Sequence, residues 1–203
     1  MSKIIGLTGG IATGKSTVSR YLAEKGIPIV DADVAARKVV EPQTEGLAKI
    51  VQAFGSEILH ADGTLDRKQL GTIVFSDETK RTQLNTLLHP LIRQWIRDET
   101  ARLTSEQQPI IVLDIPLLYE AGYRKHCHQV VVVYTSKETQ LKRLMERDGL
   151  NETEAKDRID SQMSIEDKKE LADIVIDNEG SLRETYEQVE QWLATLKEPG
   201  KTR

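Results

Sequence analysis

Short unbroken apolar runs alternate along this chain with longer stretches in which apolar residues recur every three or four positions. That is the pattern of strands buried on both faces of a parallel sheet and separated by amphipathic helices. Ile4 to Leu7 is the first run; glycines follow at once, and beyond Gly14-Lys15-Ser16-Thr17 the residues Val18, Tyr21 and Leu22 fall at helical spacing. A strand, a tight loop and a helix are predicted in that order, with Gly26 closing the helix. Ile27-Pro28-Ile29-Val30 reads as a second strand ending at Asp31-Ala32-Asp33. Ile110 to Leu113 ending at Asp114, Val130 to Tyr134 ending at Thr135, and Ile174 to Ile176 supply three more. The fold class expected is α/β, with a five-stranded parallel sheet between helical layers.

More than seventy residues separate the second strand from the third, and they read almost wholly as helix. A simple crossover needs far fewer, so an inserted helical subdomain is expected over about 34–108. Its strongest element starts near Asp77 and carries Leu84, Leu87, Leu88, Leu91, Ile92, Trp95 and Ile96 as one apolar stripe. Pro90 is expected to kink or restart it, because proline lacks an amide donor and pushes the preceding His89 away from helical dihedrals. After the fourth strand, Ser136 can cap a helix bearing Leu141, Leu144 and Met145 that stops at Asp148-Gly149. Asn151 with Glu154 and Ser181 with Glu184 have the spacing of capping boxes, the second opening a last helix through Leu196, and Ser164 can start a short helix between them. Lys197 to Arg203 reads as a polar, fraying tail.

The chain of 203 residues has room for one compact domain with an insertion rather than two unrelated domains. Its 28 basic and 32 acidic residues leave a formal charge of −4, the wrong sign for coating nucleic acid. The longest apolar runs fall far below the roughly 18 residues that a membrane helix requires. Met1 to Gly6 leads straight into the first strand with no secretory pattern, and Cys127 is the single cysteine, so a soluble cytoplasmic protein without a disulfide is expected. His126-Cys127-His128 lacks the second pair of ligands a closed zinc site needs and reads as a loop.

Gly9-Gly10-Ile11-Ala12-Thr13-Gly14-Lys15-Ser16 matches G-x-x-x-x-G-K-[ST], and it lies where that motif must lie, between a strand and a helix. Glycines let backbone amides turn toward phosphate oxygens, and the helix N-terminus adds partial positive charge. Lys15 can reach the β and γ phosphates and the Ser16 hydroxyl can ligate Mg²⁺, so a nucleoside triphosphate is the expected ligand. The loop does not say what becomes of the γ-phosphate. No Asn-Lys-x-Asp guanine reader is present, and Asp114 is followed by Ile115 and Pro116 rather than by glutamate, which leaves a small-molecule kinase as the attractive class. A nucleotide-operated switch, and a kinase for another nucleoside or a polynucleotide end, remain as alternatives.

Asp31 and Asp33 fall at the carboxyl end of the second strand, the edge at which open α/β sheets bind ligands. Asp33, the further out, could orient an acceptor hydroxyl and take its proton, although Asp-Ala-Asp equally describes a cap and turn. Arg143 and Arg147 share a helix face four residues apart, with Arg158 on the next helix. A flap carrying them could deliver charge to a transferring phosphoryl group; a solvated helix laced with ion pairs is the other reading, since Lys137 to Lys169 holds eight basic and nine acidic residues.

Taken together these motifs resemble the dephospho-CoA kinase family from about Ile4 to Gly180. The carrying segments are Gly6-Leu7-Thr8-Gly9-Gly10 through Ser16, Asp31-Ala32-Asp33, Val40-Glu41-Pro42, Phe54-Gly55, Leu65-Asp66-Arg67 and His89-Pro90-Leu91-Ile92-Arg93. Asp114-Ile115-Pro116-Leu117-Leu118-Tyr119-Glu120, the most specific, is followed by Arg147-Asp148-Gly149-Leu150 and Ala172-Asp173-Ile174-Val175-Ile176-Asp177-Asn178. The resemblance implies ATP-dependent phosphorylation of the ribose 3′-hydroxyl of dephospho-CoA, with Mg²⁺ and neither nucleic acid nor membrane as partner. It implies a nucleotide core over about 1–33, 109–136 and 172–196, a CoA-binding insertion over about 34–108 and a lid over about 137–171. It makes Asp33 the base, Lys15 and Arg143 the phosphoryl stabilisers, and Ile11, Ala12, Thr13, Gly14, Lys15, Ser16 and Thr17 the ATP loop. Arg147 and Arg158 become lid contacts, and Thr8, Asp33, His89 and Leu117 substrate contacts. Ala12 and Thr13 stand where many relatives have Gly and Ser; alanine would be strained at positive φ, so ordinary dihedrals are expected at Ala12.

Overall fold

A computed structural model describes residues 2–75 and 77–197. The five apolar runs form β1 (Lys3–Gly9), β2 (Ile29–Asp31), β3 (Ile110–Asp114), β4 (Gln129–Tyr134) and β5 (Ile174–Asp177). They make one parallel sheet in the order β2-β3-β1-β4-β5, with Leu7 opposite Asp114 on one side of β1 and opposite Val131 on the other. β1 is thus central, and its carboxyl end opens into the glycine loop.

Nine helices connect the strands among the described residues: α1 (Lys15–Glu24), α2 (Ala32–Lys38), α3 (Glu45–Phe54), α4 (Arg67–Phe75), α5 (Glu78–Ser105), α6 (Lys137–Asp148), α7 (Glu152–Asp160), α8 (Ile165–Glu170) and α9 (Leu182–Lys197). The chain divides into two compact units, one of Val30–Ser105 and one of Met1–Ile29 with Glu106–Arg203. In the second, Ile5, Leu7, Val112, Val131, Val133 and Ile176 of the sheet pack against Val18 and Leu22 of α1 and Val189, Trp192 and Leu193 of α9. These side chains recur at every second position, on one face; Ile111, Leu113, Val130 and Val132, which point to the other face, are buried as well, so the apolar runs are unbroken because both faces are covered. A smaller cluster of Leu144, Ala155 and Ile159 joins α6 to α7. The expected caps are all made: Ser136, Asn151 and Ser164 each accept the amide three residues on, and Ser181 exchanges bonds with Glu184. The tail beyond Lys197 lies outside the described residues.

The unit Val30–Ser105 is built on Val39, Val40, Leu47, Ile50, Phe54, Ile58, Leu70 and Val74, against which Leu84, Leu87, Leu88, Leu91, Ile92 and Trp95 of α5 pack. Of the two outcomes expected at Pro90, a kink or a restart, the second does not occur. Pro90 does not restart α5, which runs for 28 residues with the proline inside it and His89 helical. A proline in a helix interior costs about 3 kcal/mol, whereas each apolar side chain moved fully from water to a core contributes about 1.5–3 kcal/mol. Leu87 and Leu88 on one side of Pro90 and Leu91 and Ile92 on the other are each partly buried against this core, so each contributes a fraction of that amount and the four together offset the proline.

Candidate active site

The glycine loop lies between β1 and α1. Gly14 occupies the N-cap of α1 at φ 89 and offers no side-chain acceptor, so among the described residues the Lys15 and Ser16 amides have no protein partner. A Cβ at Gly14 would also run into the Asn178 amide, which donates its Nδ2 to the Thr13 carbonyl at 2.8 Å. Only glycine meets both demands. Unpaired amides at the positive end of a helix are an anion seat, and Asn178 pins the loop behind them. Thr13 is buried, with its hydroxyl donating to the Gly10 carbonyl at 2.9 Å, while Ser16 is exposed.

The expectation of ordinary dihedrals at Ala12 is wrong: its φ is 61. The Ile11 amide donates to Gln162 Oε1 at 3.0 Å and the Ile11 carbonyl accepts from Gln140 Nε2 at 2.7 Å. Ile11 and Ala12 also pack against the α6–α7 cluster. Tertiary contacts more than a hundred residues away in sequence, rather than the local preference of alanine, set this turn.

Lys15 pairs with Asp114 at the end of β3, whose side chain is only 5% exposed. The segment after β3 is fixed to the loop by Lys168, whose ammonium is fully buried. It donates to the Gly9 carbonyl at 3.3 Å and the Pro116 carbonyl at 3.0 Å, and pairs with Glu120 at 3.0 Å. Thr8 is buried too, and its hydroxyl donates to the Pro116 carbonyl at 2.9 Å, which gives it a scaffolding place behind Leu117, itself 43% exposed.

On α6, Arg143 donates to the Asn178 carbonyl at 2.9 Å. Glu179 beside it is held below the usual carboxylate range by hydrogen bonds from Ser136 and Thr139, with the Arg143 charge acting in the same direction. Arg147 and Arg158 converge on Asp148, at 2.7 Å and 3.0 Å, and Asp148 is held low chiefly by its hydrogen bond to Arg147. Lys15, Arg143, the loop, Thr8 and Leu117 belong to the unit that contains the sheet core. Asp33 and His89 belong to the unit Val30–Ser105.

Within that unit the two aspartates at the end of β2 and the start of α2 separate cleanly. Asp31 is the helix cap, accepting the amides of Asp33 at 2.7 Å and Val34 at 3.3 Å. The Asp33 carboxylate is exposed and has no protein partner among the described residues. His89 is exposed beside Pro90, Arg93 and Arg97 in a cavity of about 400 Å³. The His126-Cys127-His128 segment is structural: Cys127 is buried and His128 Nδ1 accepts the Ile4 amide at 2.9 Å. Burial pushes the Cys127 thiol up to about 11.

Sequence reasoning did not single out Asp114, Lys168, Asn178, Gln140 or Gln162 as site residues. Asp114 carried a signal, as the polar residue that ends a buried apolar strand. Asn178 was legible only as the end of the segment Ala172 to Asn178 that carries the resemblance, and Lys168, Gln140 and Gln162 carried no signal, since a lysine or a glutamine in a polar stretch normally faces water.

The dephospho-CoA kinase family model matches residues 3–184, which takes in the loop, Asp33, Asp114, Arg143 and Asn178. The chain belongs to the dephospho-CoA kinase family. Dephospho-CoA kinase of Shouchella clausii is 54% identical over 94% of this chain and 96% of its own length. That of Listeria innocua is 51% identical over 93% and 94%. The structure of dephospho-CoA kinase from Campylobacter jejuni superimposes with a TM-score of 0.76 at 34% identity, covering 97% of this chain and 98% of that one. Family membership makes the chain a kinase with an alcohol acceptor, built on a P-loop α/β fold.

Proposed function

We propose that this chain moves the γ-phosphoryl group of ATP to the ribose 3′-hydroxyl of dephospho-CoA, giving CoA and ADP, the final step of CoA biosynthesis. The observation that carries the reading is the anion seat at Gly14–Ser16, with Lys15 beside Asp114, in a chain the family model matches over residues 3–184. Ile11 to Thr17 take the ATP phosphates. The exposed Ser16 hydroxyl and the Asp114 carboxylate, both hard oxygen donors, are the groups that would hold Mg²⁺, which neutralises phosphate charge when bound.

Asp33 takes the proton of the 3′-hydroxyl as the new P–O bond forms and the bond to the β-phosphate oxygen breaks, with ADP as leaving group. Its unencumbered carboxylate supports that role. Lys15 and Arg143 stabilise charge on the transferring group. Arg147 and Arg158 act as lid contacts, leaving Asp148 for phosphate oxygens. His89 and Leu117 contact dephospho-CoA directly and Thr8 acts by fixing Pro116. The helical unit Val30–Ser105 binds the CoA portion, helices α6–α8 serve as the lid, and the enzyme works in the cytoplasm without nucleic acid. The test is direct: purified protein with ATP, Mg²⁺ and dephospho-CoA forms CoA and ADP in equal amounts. ATP consumption without CoA would overturn the reading.

A further inference from the structure

Ala12 stands in left-handed backbone, at φ 61, within the nucleotide loop. A residue with a Cβ avoids this region by a factor of about five to thirty. Two glutamines hold it there. Gln162, in the turn between α7 and α8, accepts the Ile11 amide at 3.0 Å; Gln140, on α6, donates to the Ile11 carbonyl at 2.7 Å. The peptide groups on both sides of Ile11 are therefore fixed, and the turn at Ala12 is closed on its far side by the Thr13 amide, which donates to the Gly10 carbonyl at 3.3 Å.

Gln140 is 2% exposed, and its Oε1 is buried without a protein partner among the described residues. An apolar side chain of the same size would escape the penalty of that oxygen, so what the amide contributes is its bond to Ile11. The side chains of Ile11 and Ala12 meanwhile pack on the Leu144, Ala155 and Ile159 cluster of α6 and α7. The loop is thus gripped through its backbone by α6 and the turn after α7, and through its side chains by α6 and α7.

We propose that Gln140 and Gln162 are positioning residues for ATP. They clamp the Ile11–Ala12 turn in its left-handed form and so tie the affinity of the phosphate seat to the packing of α6 and α7. Neither touches the phosphates, and the inference rests on reading Gly9–Ser16 as the triphosphate seat. Released from the clamp, Ala12 returns to right-handed backbone and the amides beyond it turn away. Glycine at that position populates both hands about equally and depends far less on the clamp.

The experiment measures KM for ATP, KM for dephospho-CoA and melting temperature in Gln162→Ala and Gln140→Leu, each with and without Ala12→Gly. Each single change is expected to raise KM for ATP about five- to thirtyfold with KM for dephospho-CoA within twofold, and Ala12→Gly in the same chain to recover at least half of that loss on a logarithmic scale. Calorimetric titration of the unsubstituted protein with ATP and Mg²⁺ separates the two layers of the argument. If it binds no ATP, the seat is wrong and the clamp falls with it. If it binds ATP and both glutamine variants do so within twofold, the seat stands and the clamp is overturned. A lower melting temperature with unchanged KM, or a loss that Ala12→Gly does not relieve, also overturns it.

Discussion

Replacing Lys168 with methionine asks whether one buried charge holds the nucleotide loop to the segment after β3. The ammonium is 0% exposed, 3.3 Å from the Gly9 carbonyl, 3.0 Å from the Pro116 carbonyl and 3.0 Å from Glu120. Methionine keeps the unbranched stem and most of the volume, so the change isolates the charge. Removing one partner of a buried pair costs about 3–5 kcal/mol when the other is left uncompensated. Here the partners are partly provided for. The Pro116 carbonyl still accepts from Thr8 at 2.9 Å, and Glu120 still accepts the Met163 amide at 3.1 Å with a side chain 25% exposed to water. The variant is also relieved of desolvating an ammonium, so the loss falls below that range, at about 2 kcal/mol. In a chain of this size each kcal/mol moves Tm by about 2–4 °C, which gives a decrease of about 4–8 °C by circular dichroism. A Tm equal to or above that of the unsubstituted protein would refute the reasoning, because the contacts would then do no more than offset the burial of the charge.

Two further changes test other parts of the account. Asp33→Asn should lower kcat by about 10²–10⁴ while KM for ATP stays within about threefold, since a general base acts on the acceptor proton alone; an unchanged kcat would remove Asp33 as the base. The Cys127 thiol has its folded pKa raised to about 11 by burial, against about 8.5 when free. Its contribution is fully present below pH 8.5 and is lost as pH rises toward 11, because the unfolded chain ionises first. The urea midpoint should fall between pH 8.5 and 9.5, before tyrosines titrate, and Cys127→Ala should flatten that slope; an equal slope in the variant would show that the thiol is not its source.

Much of the fold is legible in the sequence for a physical reason. Strands covered on both faces leave unbroken runs such as Val130 to Tyr134, and caps such as Ser136 and Asn151 act over three residues, within reach of a local pattern. The failures lie where distant contacts override local preference. Pro90 stays helical because apolar residues on both sides of it pack on a core assembled elsewhere in the chain. Ala12 turns left-handed because Gln140 and Gln162 hold Ile11 from 129 and 151 positions away. The loop motif named Lys15 and Ser16 at once, and Asp33 stood ahead of Asp31 as the residue further out; the structure adds that the α2 cap uses Asp31. Lys168 was invisible in advance because an alkyl ammonium in a polar helix gives no sign that it will be buried.

The central claim, that phosphate goes from ATP to one particular ribose hydroxyl, is tested most directly by following the label. γ-Labelled ATP and Mg²⁺ are given to the protein with dephospho-CoA, adenosine and a DNA end together, and the product is located by phosphorus NMR. The account predicts label only on CoA, at the 3′ carbon of the ribose, and none after Lys15→Ala. Label on another acceptor, at the 2′ carbon, or in free phosphate alone would contradict it.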